Sequence, residues 1–240
     1  MCIRDRDAGL ALPGYAEVYA QRALPLVDRA LALLEQDGAR IDEVEGHGTA
    51  KFQTADGHSL ELHFRADLVE RSVNGARRFT DYKTGKPPGF HVLLNTVQAH
   101  LRQKVAEGLA LQAAVYARSE PDVQGRYLHI GEKEPKAGDA GRSLALDLSD
   151  DEMREAFDQA IHVLLAAYSA GSFPPRLLDN KGNKEGSACR YCDVQEACLQ
   201  GDSGIRGRFE LWHAEQPEEP SSEHLTEDFL RWLQLGRAAQ

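Results

Sequence analysis

From Ser59 to Leu68 the chain places apolar residues at even positions (Leu60, Leu62, Phe64, Ala66, Leu68) and polar ones at odd positions (Ser59, Glu61, His63, Arg65, Asp67). A period of two belongs to a strand with one buried face, so the pattern predicts a strand over Ser59–Glu70 with Asp67 on its polar side. Glu43–Thr54, joined to it at Asp56-Gly57, predicts the strand before it, and Phe79–Lys83 predicts the strand that returns after Asn74-Gly75. The hairpin register decides which side chains meet. A two-residue Asn-Gly turn would set Asp67 opposite Tyr82 and send Asp81 to the other face; a three-residue loop Val73-Asn74-Gly75 with Gly75 left-handed sets Asp67 opposite Asp81. The three-residue loop is expected.

The other elements follow from helical spacing and breakers. Tyr15–Gln36 predicts an amphipathic helix, bent before Pro25 and ending near Gly38. Thr84-Gly85-Lys86-Pro87-Pro88 breaks the sheet, and the segment after it to Gly108 is ambiguous between loop and helix. Leu109–Arg118 predicts a helix, Gln124–Glu132 and Ser143–Leu148 strands, and Ser149-Asp150-Asp151-Glu152 a capping box opening a helix to Ala170, with Gly171 as its stop. Met153, Phe157, Ile161, Leu164, Leu165 and Tyr168 form the expected core stripe of that helix, and His162 beside it is a surface or packing residue. Arg208–Trp212 reads as a short strand or docking segment, Pro217–Ser222 as a linker, and Leu225–Leu235 as a helix that docks on a partner or folds back on its own domain.

Candidate chemistry centres on Asp67, Asp81 and Lys83. Directly opposed residues carry Cβ atoms about 5 Å apart, so two carboxylates there repel unless a cation lies between them. Mg²⁺ suits such an open site, because it accepts one or two carboxylates, keeps several waters and takes substrate phosphate oxygens. Lys83, two residues past Asp81 on the same strand face, would point its ammonium at the same water.

Arg65-Ala66-Asp67-Leu68-Val69, then Thr80-Asp81-Tyr82-Lys83-Thr84-Gly85, then Leu111-Gln112-Ala113-Ala114-Val115-Tyr116-Ala117 together resemble the PD-(D/E)xK nucleases of the RecB/AddB type, in that family's order. The resemblance implies an α/β fold with a restriction-endonuclease-like core, a mixed sheet flanked by helices, followed by a C-terminal metal-stapled loop region. It implies Asp67 and Asp81 as ligands of Mg²⁺ or Mn²⁺, the Tyr82 carbonyl as a further ligand, Lys83 as the catalytic lysine, and Gln112 and Tyr116 as a helical pair flanking the site. Residues four apart share a helix face, in agreement. The activity implied is hydrolysis of DNA phosphodiesters, by exonucleolytic trimming beside a helicase in double-strand-break repair. A module that keeps the fold but only binds DNA ends or protein is the alternative.

Cys189, Cys192 and Cys198 form a C-x2-C-x5-C run in a polar stretch of a chain with four cysteines. Without a secretory signal, a soft metal is a better reading than a disulfide framework. C-x2-C is common to many Zn²⁺ sites, while the C-x5-C spacing resembles the C-terminal cysteines of AddB-type nucleases, which hold a [4Fe-4S] cluster with one cysteine far upstream. The other cysteine here is Cys2, within a Met1–Arg6 stretch that reads as non-native. The histidine that the family places upstream of the metal carboxylates has no convincing counterpart, since His47, His58 and His63 fall in strand-like or turn-like sequence. Both gaps suggest a fragment whose missing upstream region supplies them.

Composition changes the picture in two ways. A chain of 240 residues with 42% hydrophobic content builds one sizeable core, and the lack of a long apolar run argues against a membrane span, which suits a cytoplasmic protein. A formal net charge of −10 is awkward for a DNA-binding protein. Arg71, Arg77, Arg78, Lys83, Lys86, Arg102 and Lys104 near the motif are therefore read as a local basic channel, with a helicase subunit or the missing region adding to the grip on DNA. The expected organisation is a leader over 1–14, a nuclease core over 15–178, a cysteine segment over 179–214, and an acidic linker with terminal helix over 215–240.

Overall fold

The computed structural model describes residues 15–53, 57 and 59–171, together with 204, 207–208, 211–212, 215, 231–232 and 235. Its elements are α1 (Tyr15–Asp37), β1 (Arg40–Gln53), β2 (Ser59–Arg71), β3 (Arg77–Lys83), α2 (Leu94–Ala106), α3 (Leu111–Ala117), β4 (Gln124–His129), a 3₁₀ turn (Gly138–Gly141), β5 (Ser143–Leu146) and α4 (Asp151–Ser169). The five strands lie in chain order, β1-β2-β3-β4-β5. Three neighbouring pairs are antiparallel, and β3 and β4 are parallel because α2 and α3 carry the chain across between them.

The hairpin between β2 and β3 has the expected register. Leu68 pairs with Thr80 and Arg71 with Arg77; the Ser72 N–H donates to the Ala76 carbonyl at 2.9 Å, leaving Val73-Asn74-Gly75 as the loop. Gly75 has φ +86°, a left-handed conformation that costs glycine no Cβ clash. The Asn74 side chain accepts from the Ala76 N–H at 3.4 Å.

Both faces of the sheet are covered. On one side α1 lays Leu33 and Leu34 against Leu68, Leu128 and the Tyr82 ring. On the other, α2, α3 and α4 pack Val97, Leu101, Ala113, Ala114 and Phe157 on Tyr127, Leu144 and Leu146, and Tyr116 sits among Ala66, Val69 and Phe79. The α1 side also buries charge. Arg126 donates to Glu70 at 2.7 Å, to Thr80 at 3.0 Å and to Asp37, while Arg78 donates to Glu70 and, at 2.8 Å, to Asp37. Arg126 and Glu70 are fully buried, so their charges depend on one another rather than on water.

Some expectations need correcting. The ambiguous stretch before Gly108 contains the helix α2, whose buried Val97, Leu101 and Val105 form a stripe one residue wide. The N-cap of α4 is Asp150, not Ser149: the Asp150 carboxylate accepts from the Glu152 and Met153 N–H groups at 3.0 and 3.3 Å, while the Ser149 N–H turns to Asp147. A carboxylate at the positive end of the helix dipole wins over a hydroxyl. Tyr168 is 64% exposed, and Ala160, Val163 and Ala167 are buried instead. Leu235 packs on Ala160 and Val163 with Trp232 beside it, so these two residues of the segment lie against the chain's own α4. Gly207–Arg208 and Leu211–Trp212 are helical, not strand. Cys189, Cys192 and Cys198 lie outside the described residues, as do Met1–Gly14 and most of the segments proposed for 179–214 and 215–240.

Candidate active site at the parting of two strands

The β2–β3 ladder ends at Leu68 and Thr80, one pair short of Asp67 and Asp81, which the same register places opposite each other. Beyond that point the Asp67 side chain takes over from backbone, with Oδ2 accepting from the Tyr82 N–H at 2.8 Å. The Ile130 N–H donates to the Lys83 carbonyl at 2.9 Å, so the alternation of the parallel β3–β4 ladder turns the Tyr82 backbone groups the opposite way, toward Asp67. The Tyr82 carbonyl therefore faces the gap between the strands, while its ring belongs to the α1 side.

Asp81 is the hub. It is 6% exposed. Its Oδ1 accepts from Gln112 Nε2 at 2.6 Å. Its Oδ2 is buried without an aligned hydrogen-bond donor, although Lys83 Nζ stands 2.6 Å away in an ion pair. Lys83 Nζ also donates to Gln112 Oε1 at 3.0 Å and lies 5.5 Å from the Tyr127 ring centroid. Gln112 Nε2 reaches the Tyr116 hydroxyl at 2.7 Å, and that hydroxyl donates to the Arg65 carbonyl at 3.3 Å. Gln112 and Tyr116 thus act from one face of α3, as their spacing predicts.

The position of α3 is itself set by contacts with β4. The Tyr127 hydroxyl accepts from the Ala113 N–H at 3.0 Å, and Gly125 lies so close beneath that any Cβ there would meet the Ala113 carbonyl oxygen at 1.7 Å. Phe64 locks the far end, its ring tilted by 40° against Tyr116 at 4.7 Å and edge-on at 5.2 Å to Phe79.

Electrostatics keep the phenols protonated. Burial, then the Asp81 charge, pushes Tyr116 well above the usual phenol range against the opposing Gln112 hydrogen bond. Burial, with a smaller push from Asp81, raises Tyr127 to about 12, although the Ala113 N–H favours its ionised form. His129, paired with Lys83 in the β3–β4 register, is shifted down by burial and then by the Lys83 and Arg142 charges, with the Gly85 carbonyl acting against them. Its Nδ1 bonds that carbonyl at 3.0 Å, and its Nε2 is buried with no partner. Tyr127 and His129 are absent from the sequence reading. Their alternation on β4 becomes meaningful only once β4 is known to run parallel beside Asp81 and Lys83.

The donor set fits a hard divalent cation. It offers the Asp81 oxygen that has no aligned donor and only the Lys83 ammonium beside it, the Asp67 carboxylate and the Tyr82 carbonyl, and among the described residues no group of three His, Cys, Asp or Glu comes together. Two carboxylates with water completing the shell are what Mg²⁺ accepts, whereas an all-protein cage is not present in this part of the chain.

The basic channel is not formed as expected. Arg71 pairs with Asp42, Arg77 with Glu120, Arg78 with Glu70 and Asp37, Lys83 with Asp81, Arg102 with Glu152 and Lys104 with Glu107. Arg78 is buried besides. Of the seven, Lys86 has no acidic partner among the described residues; it lies over the Phe90 ring at 4.9 Å. A cleft of about 1090 Å³ between α2 and α4 is lined by none of the site residues.

A mixed sheet with helices on both faces, carrying Asp on one strand and Asp-x-Lys on the next where the two part, defines the class of restriction-endonuclease-like phosphodiesterases. The family model of the PD-(D/E)XK nuclease superfamily matches residues 3–199, and the chain belongs to that superfamily. Its members typically use Mg²⁺ or Mn²⁺, and the fold implies DNA as substrate. Among solved structures, "Crystal structure of SSO0001" is similar over 82% of this chain and 78% of that one, at 14% identity and a TM-score of 0.33. No curated protein matches the sequence. Among the described residues no helix is long and apolar enough to cross a membrane.

Proposed function

We propose that this chain is the nuclease domain of a DNA-repair helicase–nuclease, hydrolysing phosphodiester bonds from a DNA end with Mg²⁺ or Mn²⁺. The observation that carries the reading is the Asp81 carboxylate, buried with one oxygen free of any aligned donor while Gln112 and Lys83 hold it in place. Asp67, Asp81 and the Tyr82 carbonyl would hold the cation, which when bound would lower the pKa of a water and draw charge from a phosphate oxygen. Lys83 orients the attacking water and stabilises charge that develops on the phosphate. Gln112 fixes the Asp81 rotamer through Nε2 and Lys83 through Oε1, so one amide sets the angle between carboxylate and ammonium. Tyr116, kept protonated by its surroundings, holds Gln112 in turn.

In the same reading Cys189, Cys192 and Cys198 bind a structural [4Fe-4S] cluster, Zn²⁺ being the other candidate, with a fourth ligand from elsewhere and a helicase as partner. Anaerobic purification separates the two metals: brown protein supports the cluster, and colourless protein with stoichiometric zinc rejects it.

One observation favours a binding-only module. Asp81 already has the Lys83 ammonium as a counter-charge, and no third His, Cys, Asp or Glu joins the two carboxylates among the described residues. Degradation of end-labelled linear DNA decides the matter. Loss of Mg²⁺-dependent cleavage in Asp81→Ala, with activity retained in the exposed control Asp28→Asn, supports the nuclease; equal cleavage by both, or none by the wild type, rejects it.

A further inference from the structure

The two loops that leave the C-terminal ends of β3 and β4 are joined to each other beside the site. Ile130 N–H bonds the Lys83 carbonyl at 2.9 Å, His129 Nδ1 bonds the Gly85 carbonyl at 3.0 Å, and Lys136 N–H bonds the Phe90 carbonyl at 2.9 Å. Arg142 braces the far side through the His129 and Gly131 carbonyls at 3.2 and 2.8 Å. Between these ties the Pro87-Pro88 segment makes two successive turns, Pro87–Phe90 and Gly89–Val92. The result is a fixed shelf with few soft dihedrals.

The chemistry of the shelf differs from the rest of the motif region. Phe90 is half-buried yet packs into none of the hydrophobic clusters among the described residues. His91 stands edge-on to it at 4.9 Å, and the exposed Lys86 ammonium lies 4.9 Å from its centroid. Lys86 and Lys136 are exposed and hold no acidic partner among the described residues, in contrast to the paired cations around the motif; Glu132 and Glu134 offset the neighbouring Lys133. Lys86 is three residues beyond Lys83, and three residues span at most about 11 Å. The shelf is therefore within a few nucleotides of a phosphate held at the site.

We propose that Lys86, Phe90 and His91, with Lys136, form a platform that grips a single DNA strand as it enters the site, an unpaired base stacking on the aromatic pair while the lysines contact its phosphates. Duplex DNA hides its base faces in the stack, so this surface selects single strands. The proposal rests on the nuclease reading for its substrate, but binding tests it separately. Fluorescence anisotropy in EDTA would compare a labelled oligothymidylate, a hairpin duplex and the RNA of the same base sequence, with circular dichroism checking the fold of each variant. The expected results are tighter binding of the single DNA strand than of the duplex, a loss of roughly 5- to 100-fold in Phe90→Leu, affinity retained in Phe90→Trp, and a salt slope smaller by about one in Lys86→Gln. Equal affinity for strand and duplex, tighter binding of the RNA, or no loss in a folded Phe90→Leu overturns the platform. Wild-type protein that binds in this pattern without cutting in Mg²⁺ would refute the nuclease reading and leave the platform standing; cutting without dependence on Phe90 would do the reverse.

Discussion

A single methyl group added at Gly125 should disable the site from the opposite side of α3. Its Cβ would lie 1.7 Å from the Ala113 carbonyl oxygen, 2.5 Å from the carbonyl carbon and 2.9 Å from Cα. To reach the 3.0 Å floor of real Cβ contacts, the carbonyl must retreat by at least about 1.3 Å. The obstacle is backbone, so no side chain can turn aside. Gln112 is the next residue, and its 2.6 Å bond to Asp81 and 3.0 Å bond from Lys83 cannot both survive such a shift. Overpacking of this kind costs about 1–3 kcal/mol, which for a chain of this size lowers Tm by roughly 2–12 °C, and a displacement of about 1 Å at catalytic groups costs on the order of 100-fold in rate. Gly125→Ala is expected to stay folded, to melt earlier, and to lose about two decades of kcat on linear DNA. Single-turnover cleavage and differential scanning calorimetry measure both. A folded variant with unchanged kcat would refute the reasoning, because α3 would then not be what places Gln112.

Two further outcomes follow from buried charge. Arg126→Met takes from the buried Glu70 one of its two guanidinium partners, leaving Arg78, and should destabilise the chain by up to about 3 kcal/mol in urea unfolding, whereas Glu70→Met combined with Arg126→Met, which leaves Arg78 paired with Asp37, should recover part of the loss; a single variant as stable as wild type would contradict a mutually dependent network. His129 is shifted below its ordinary 6.5 in the folded chain, so on acidification the unfolded chain takes up the proton first, and stability is lost as pH falls below about 6.5 toward the folded value. Urea unfolding across that window should show a weaker pH dependence in His129→Asn than in wild type, and identical profiles would count against a buried neutral imidazole.

How much of this was legible in the sequence depended on how far apart the interacting residues lie along the chain. The period-two pattern of β2 and the Asn74-Gly75 signal lie within one hairpin, and the register they imply is the register found. Gln112 and Tyr116 were marked by the family resemblance; four apart on one helix, they meet each other, and Gln112 carries the contact to Asp81. The cations misled, because their partners are remote: Asp42 for Arg71, Glu120 for Arg77, Glu152 for Arg102. Charge clustered in sequence became ion pairs in space, and Lys86 and Lys136, which hold no acidic partner among the described residues, lie on two loops that sequence alone does not join. Glu70 and Arg126 are 56 residues apart, and nothing local marks either as buried. At α4 the capping-box spacing pointed to Ser149 as the cap and the structure uses Asp150, a one-residue shift that a spacing rule does not resolve.

The central claim is that Asp67 and Asp81 share one divalent cation across the parted strands. Titration of the wild-type chain with Mn²⁺, followed by electron paramagnetic resonance, tests it without reference to activity. The account predicts one bound ion that is lost in Asp67→Asn and in Asp81→Asn alike and is displaced by Mg²⁺; undiminished Mn²⁺ binding in both variants would contradict it.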